Sequence, residues 1–227
     1  MKRSEINQIL RQSESFIKAM GFNLPPFAFW TPDTWNKAGH EYDEIRDNML
    51  GWDITDYGHD RFDEIGLALF TLRNGNQHNK KYKKPYAEKL LISKENQICP
   101  NHFHLSKMED IINRGGGNLM VQVWNSDNEG ALLDTPVTIN MDGCLSTVPA
   151  ATTLRLTPGM SITLPQGQYH SFWAEKGHGQ VLIGEVSMVN DDNIDNRFYE
   201  EQGRFPTIDE DVTPLYLLCN EYPKAIG

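Results

Sequence analysis

The chain has 227 residues, 39 % of them apolar and 23 % charged. That balance supports a buried core without disulfides and excludes the low-hydrophobicity, high-charge profile of a disordered segment. With 31 acidic against 21 basic residues the formal charge is −10, which argues against nucleic acid or an anionic membrane as partner and favours a neutral or cationic small molecule. No apolar run approaches the roughly 20 residues of a membrane span, and the opening Met-Lys-Arg-Ser-Glu-Ile has no apolar run behind its basic residues. Cys99, Cys144 and Cys219 are odd in number and widely spaced, so neither a disulfide framework nor a zinc ribbon is written here, and a reducing cytoplasm is the expected setting.

One domain is expected over residues 1–227, with a helical extension at 1–64, a barrel at 65–189 and a wrapping tail at 190–227. Ile6, Ile9, Leu10, Ile17 and Met20 recur at helical intervals, predicting a helix from Ser4, as cap, to Gly21. Thr31-Pro32-Asp33 reads as the start of a short second helix. Residues 39–63 are rich in Asp, Glu, Tyr and Gly and are expected to be loop with at most a turn or two of helix. From Ile65 the pattern changes to short apolar runs between turn signals. Strands are predicted at 66–72, 86–92, 119–124, 137–141, 152–156, 161–164, 169–174 and 180–189. Tight connections are expected at Asn74-Gly75, Asp142-Gly143 and Pro158-Gly159. Eight such strands suffice for a small barrel or jelly roll. After Val189 the strand pattern stops, and the polar tail is expected to wrap the barrel and cover its mouth.

His102-Phe103-His104 carries the chemistry. Alternate residues on a strand share a face, so both imidazoles project the same way. Glu109 follows close enough to bring a carboxylate to the same point, and His170 can arrive from another strand. Three imidazoles and a carboxylate suit a mid-row divalent ion. Any single histidine is more often a surface or hydrogen-bonded residue, and His40, His59, His78 and His178 are read so. The spacing His-x-His, four residues, Glu109, six residues, Gly116, followed by Gly159, Pro165, Gly167 and His170, resembles the two motifs of the cupin superfamily. Asn96 and Ala174 depart from it, standing where those motifs usually have Gly and often have Asn. The resemblance implies a mainly β, jelly-roll barrel holding one metal ion through His102, His104, Glu109 and His170.

The stretches around Lys89–Ile92, His102–Gly117, Gly184–Ser187 with Asn190–Asp192, and Gly203–Pro206 are similar to the cupin-type D-lyxose isomerases over most of the chain. Membership implies a manganese-dependent aldose–ketose isomerase of D-lyxose and often D-mannose, usually a homodimer. Such chemistry needs polarised O1 and O2 and groups that move protons. Candidates are Glu109, Lys107, Lys89, Glu185, Asp192, Glu200 and Glu201. Against these stand an exposed strand lysine for Lys89, a plain salt bridge for Lys107, turn residues for Asp191 and Asp192, and a solvated helix face for Glu200-Glu201. Glu185 shares parity with Val181 and Ile183, which points it inward; Arg114 and three glycines read as a turn. The competing functions are a cupin dioxygenase or other oxidoreductase, and a non-catalytic sugar-binding cupin. The acidic tail lacks residues for DNA binding.

Overall fold

The computed structural model describes residues 1–192 and 194–227. Helix α1 (Arg3–Ala19) carries Ile6, Ile9, Leu10 and Ile17 on its buried face. It begins at Lys2 rather than at the predicted Ser4 cap, because the Ser4 amide and hydroxyl are both taken by Asp211 in the tail. It ends as predicted: Gly21 lies at φ +75°, and the amides of Gly21 and Phe22 bond back to Lys18 and Ile17. Thr31 caps the short α2 (Pro32–Trp35), accepting from the Thr34 amide. Between 39 and 63 there is more order than the sequence suggested. A 3₁₀ turn at His40–Tyr42 leads into α3 (Asp43–Asp47), and Gly51–Thr55 is a full strand, β1.

Thirteen further strands follow among the described residues. In chain order they are β2 (Leu67–Arg73), β3 (Tyr86–Ser93), β4 (Cys99–His104), β5 (Glu109–Gly116), β6 (Leu119–Ser126), β7 (Leu132–Leu133) and β8 (Val137–Met141). Then come β9 (Cys144–Val148), β10 (Thr152–Leu156), β11 (Ser161–Leu164), β12 (Tyr169–Ala174), β13 (Val181–Met188) and β14 (Asn196–Phe198). Every pairing between named strands is antiparallel. One sheet runs β1-β2-β3-β13-β5-β11-β8-β9; the other runs β10-β6-β12-β4-β14, with β7 beside β6. Their facing sides share one core, in which Leu119, Val121, Val123 and Phe172 of the smaller sheet meet Leu69, Leu91, Ile111 and Ile183 of the larger. This is the expected jelly-roll barrel.

The larger sheet also has a packed outer face. Trp52 and Ile54 on β1 and Ala68 and Phe70 on β2 are opposite neighbours in register and pack with α1 and Leu218 of the tail. Their alternates, Asp53 and Thr55, turn inward beside Leu69 and Leu67.

Four local expectations are corrected. Asn74-Gly75 is not a tight turn: it opens a long connection, residues 74–85, before β3. Arg114 and its glycines form no turn but complete β5, where a register shift against β13 accommodates Gly115 and Gly116. Strand pairing resumes in the tail, where β14 adds to β4. Glu200 and Glu201 are exposed but lie in irregular chain, not on a helix. Asn96, the departure from the cupin glycine, sits at φ +57°, the left-handed region that Asn tolerates better than most residues.

Candidate active site

Register builds the centre. His102 on β4 lies directly opposite His170 on β12, and His104 is two residues further along the same face, opposite Asn196 of β14. The three imidazoles each offer a nitrogen within 4.8 Å of the others. Glu109 enters from the opposite sheet at the start of β5, its Oε1 lying 3.2 Å from His104 Nε2 and 3.4 Å from His170 Nε2. All four side chains are buried.

The outer nitrogens are occupied in a way that turns the inner ones toward the cavity. His102 Nδ1 is 2.8 Å from the Pro100 carbonyl and His170 Nδ1 is 3.1 Å from that of Gln168; with Nδ1–H donating, each Nε2 keeps a lone pair. Asp195, pinned by the amide and hydroxyl of Ser106, brings Oδ2 to 3.7 Å from His104 Nδ1. His104 Nε2 and His170 Nε2 are buried and make no hydrogen bond. Orphan nitrogens of this kind beside a carboxylate are what a divalent ion would satisfy, so the donor set fits the metal. Burial, then the neighbouring imidazoles, lowers His102 well below the usual histidine range; burial and the Lys107 ammonium lower His104. Both are thus held neutral, the form that ligates.

A chain of opposite charges leads away from the ligands. Lys107 Nζ lies 2.7 Å from Glu109 Oε2 and 2.9 Å from Glu185 Oε1, with Asn190 Oδ1 at 3.1 Å. Lys89, directly opposite Glu185 on β3, reaches Glu185 Oε1 and Asp192 Oδ1 at 3.5 Å each. Arg204 closes the series, 3.0 Å from Asp192 Oδ2 and in contact with Asp53. Burial by itself would neutralise Lys107, but Glu109, Glu185 and Asp192 outweigh it and hold its pKa above the usual lysine value. Burial likewise opposes ionisation of Glu109 and Asp192, yet the Lys107 ammonium for the first, and Lys89 and Arg204 for the second, depress both carboxyls well below their usual range.

The structure therefore brings His102, His104, Glu109, His170, Lys107, Lys89, Glu185 and Asp192 into one contiguous cluster. Lys89 is no exposed strand lysine, and Asp192 no mere turn residue, since both are folded into the charge chain. Glu200 and Glu201 point to solvent, and the remaining histidines stay apart: His40 beside Asp43, His59 beside Gln202, His78 beside Asp191 and His178 beside Glu175. Sequence reasoning missed Asp195, Arg204 and Asp53. Asp195 and Asp53 carry no local signal, because each acts through a partner distant along the chain; Arg204 lies in the Gly203–Pro206 stretch that carries the family resemblance, but without a role assigned to it there. Cys99 also lines the cavity, its thiol pushed up to about 12 by burial; all three cysteines are free.

Among the described residues no helix is long and apolar enough to cross a membrane. Comparison with known proteins follows the same line. In solved structures the fold resembles that of L-ribose isomerase from Cellulomonas parahominis bound to L-ribose (17 % identity, TM-score 0.60, 92 % of this chain and 98 % of that one). It equally resembles the L-ribose isomerase of Geodermatophilus obscurus (14 % identity, TM-score 0.60, with the same coverage). In sequence the chain is 50 % identical to a D-lyxose/D-mannose isomerase of Serratia proteamaculans over 100 % of both chains. It is 49 % identical to one of Escherichia coli O157:H7 over 98 % of each. A family model described as D-lyxose isomerase matches residues 1–222, and the chain belongs to that family.

Proposed function

We propose that this protein is a metal-dependent aldose–ketose isomerase that interconverts D-lyxose with D-xylulose and D-mannose with D-fructose. The observation that carries the reading is the convergence of three buried imidazoles beside Glu109 in a chain of this family. Held by His102, His104, Glu109 and His170, a divalent ion, manganese by family resemblance, would polarise O1 and O2 of the open-chain sugar and stabilise charge on them.

The chain's own residues would move the protons. Glu185 is a buried carboxylate whose Oε1 accepts from Lys107 and the Ser187 hydroxyl, and it is the group we assign to take the proton from C2 and return it to C1 by an enediol route. Lys107, held protonated, would donate to the sugar oxygen that gains charge, and Lys89 would orient a further hydroxyl. Asp192, itself held by Arg204, holds Lys89 in place from the far side. The proposal carries with it a homodimer in the cytoplasm.

The test is conversion of D-lyxose by chelator-treated protein with and without added Mn²⁺. Loss of ketose on chelation and its return with Mn²⁺ is the expected result; no ketose from any aldose across a panel of pentoses and hexoses sinks the proposal. Run in D₂O, the enediol route leaves deuterium at the migrating position, whereas a hydride shift leaves none.

A further inference from the structure

Two cavities lie against the inward-facing residues of β1 and β2. On the metal side lies a cavity of about 50 Å³ lined by Thr55, Leu69, Lys89 and Glu185. That is space for a few waters and far short of a pentose. On the other side, two residues along the same strands, lies a compartment of about 370 Å³ that includes Asp53, Thr71, Asn74 and Asn190, within the usual range for small-molecule sites. Asp192 and Arg204 line both. The guanidinium is inserted from the tail between Asp53 and Asp192, and the segment that bears it rests on β1 and the loop after it through the Thr55 hydroxyl to the Arg204 carbonyl and the Gly203 amide to the Tyr57 carbonyl.

The outer compartment is furnished for a polyol. Its walls are rich in side-chain amides, and Asp53, 1 % exposed, presents Oδ1 with no hydrogen-bond partner. An orphan buried carboxylate oxygen costs stability unless a donor arrives, and sugar hydroxyls are such donors. The other Asp53 oxygen and Asp192 are already matched to Arg204.

We propose that this compartment is an entry subsite for a neutral monosaccharide, docked on Asp53 Oδ1 and Thr71, and that Arg204 is the bar the sugar displaces to reach the metal cavity. The inference rests on the sugar-isomerase reading and adds to it a second place where the sugar binds. It is tested by titrating D-mannose into chelator-treated protein, where metal ligation of O1 and O2 is removed, and following protein resonances by NMR. Expected is saturable binding that Asp53→Asn and Thr71→Val each weaken at least fivefold while His102→Ala leaves it within twofold, all variants being checked by thermal melting. In the manganese-loaded enzyme Asp53→Asn should raise KM several-fold with kcat within twofold. Absence of saturable binding, or binding lost in His102→Ala and indifferent to Asp53→Asn and Thr71→Val, overturns the subsite even if turnover is normal. Conversely, Asp53-dependent binding in a protein that converts no aldose overturns the isomerase reading and leaves the sugar site standing.

Discussion

Lys107 offers the sharpest test of how this centre is held together. It is 2 % exposed and its ammonium sits 2.7 Å from one buried carboxylate and 2.9 Å from another. Replacing it by Met keeps much of the volume, strands Glu109 in the interior and leaves Glu185 only Lys89, at 3.5 Å. At an effective dielectric constant near 20, each contact is worth roughly 6 kcal/mol of Coulomb energy, most of it offset by desolvation. Removing one partner of such a buried pair costs about 3–5 kcal/mol, because the remaining charge stays uncompensated. For a chain of this size that lowers Tm by about 6–20 °C. Melting and urea curves of chelator-treated wild type and Lys107→Met measure it. In the double variant with Glu185→Gln, one of the two affected charges is gone, so the combined cost should fall short of the sum of the singles by more than about 1 kcal/mol. Added Mn²⁺ should restore more stability to Lys107→Met than to wild type, since the positive charge beside Glu109 has been removed. A metal-free Lys107→Met that melts within about 3 °C of wild type, or a strictly additive double variant, would refute the reasoning.

Gly116→Ala should destabilise by more than about 2 kcal/mol, since at φ +88° its Cβ would meet the Gln180 carbonyl oxygen at 2.3 Å; Gly159→Ala, at φ +98° with nothing within 4 Å, should cost only about 1 kcal/mol of backbone strain. Denaturant titration of the pair separates clash from conformation. Arg3→Met should cost about 2–3 kcal/mol by the same measurement, because the buried guanidinium joins Glu210 and Glu221 and so ties the first helix to the tail; the half-exposed Glu210 keeps the figure low. Asp192 has a folded pKa below its ordinary 3.8, so its contribution is complete above that value and disappears as the pH falls through the folded pKa. The difference in stability between wild type and Asp192→Asn should therefore be constant from pH 7 down to about 4 and shrink below it, as urea titrations across that range would record.

What could be read from the sequence was what repeats locally. His102 and His104 are legible because two residues is the strand period, and Glu185 because its neighbours of like parity, Val181 and Ile183, are fully buried. The β6 alternation of buried Leu119, Val121 and Val123 with half-buried residues is equally plain. Trp52-Asp53-Ile54-Thr55 alternates too, but the run is short and set among acidic residues and glycines, and its polar positions face a cavity instead of solvent. β5 was hidden differently: Glu-Asp-Ile-Ile-Asn-Arg-Gly-Gly has weak strand preference, and pairing with β11 and β13 on its two sides makes it a strand. Arg204 and Asp195 lie in the polar first part of the tail, residues 190–205, broken only by Ile194, Phe198, Tyr199 and Phe205, and only tertiary contact gives them partners.

The charge chain running from Glu109 to Arg204 has an uneven count. Four carboxylates (Asp53, Glu109, Glu185 and Asp192) face three cations (Lys89, Lys107 and Arg204), and buried Asp195 beside His104 adds a fifth carboxylate at its head, a formal surplus of two negative charges. A divalent ion held as proposed would cancel that surplus. The pocket so loaded would suit the neutral molecule that enters and the neutral molecule that leaves, and the ammonium groups of Lys107 and Lys89 would answer charge that develops on an oxygen between the two.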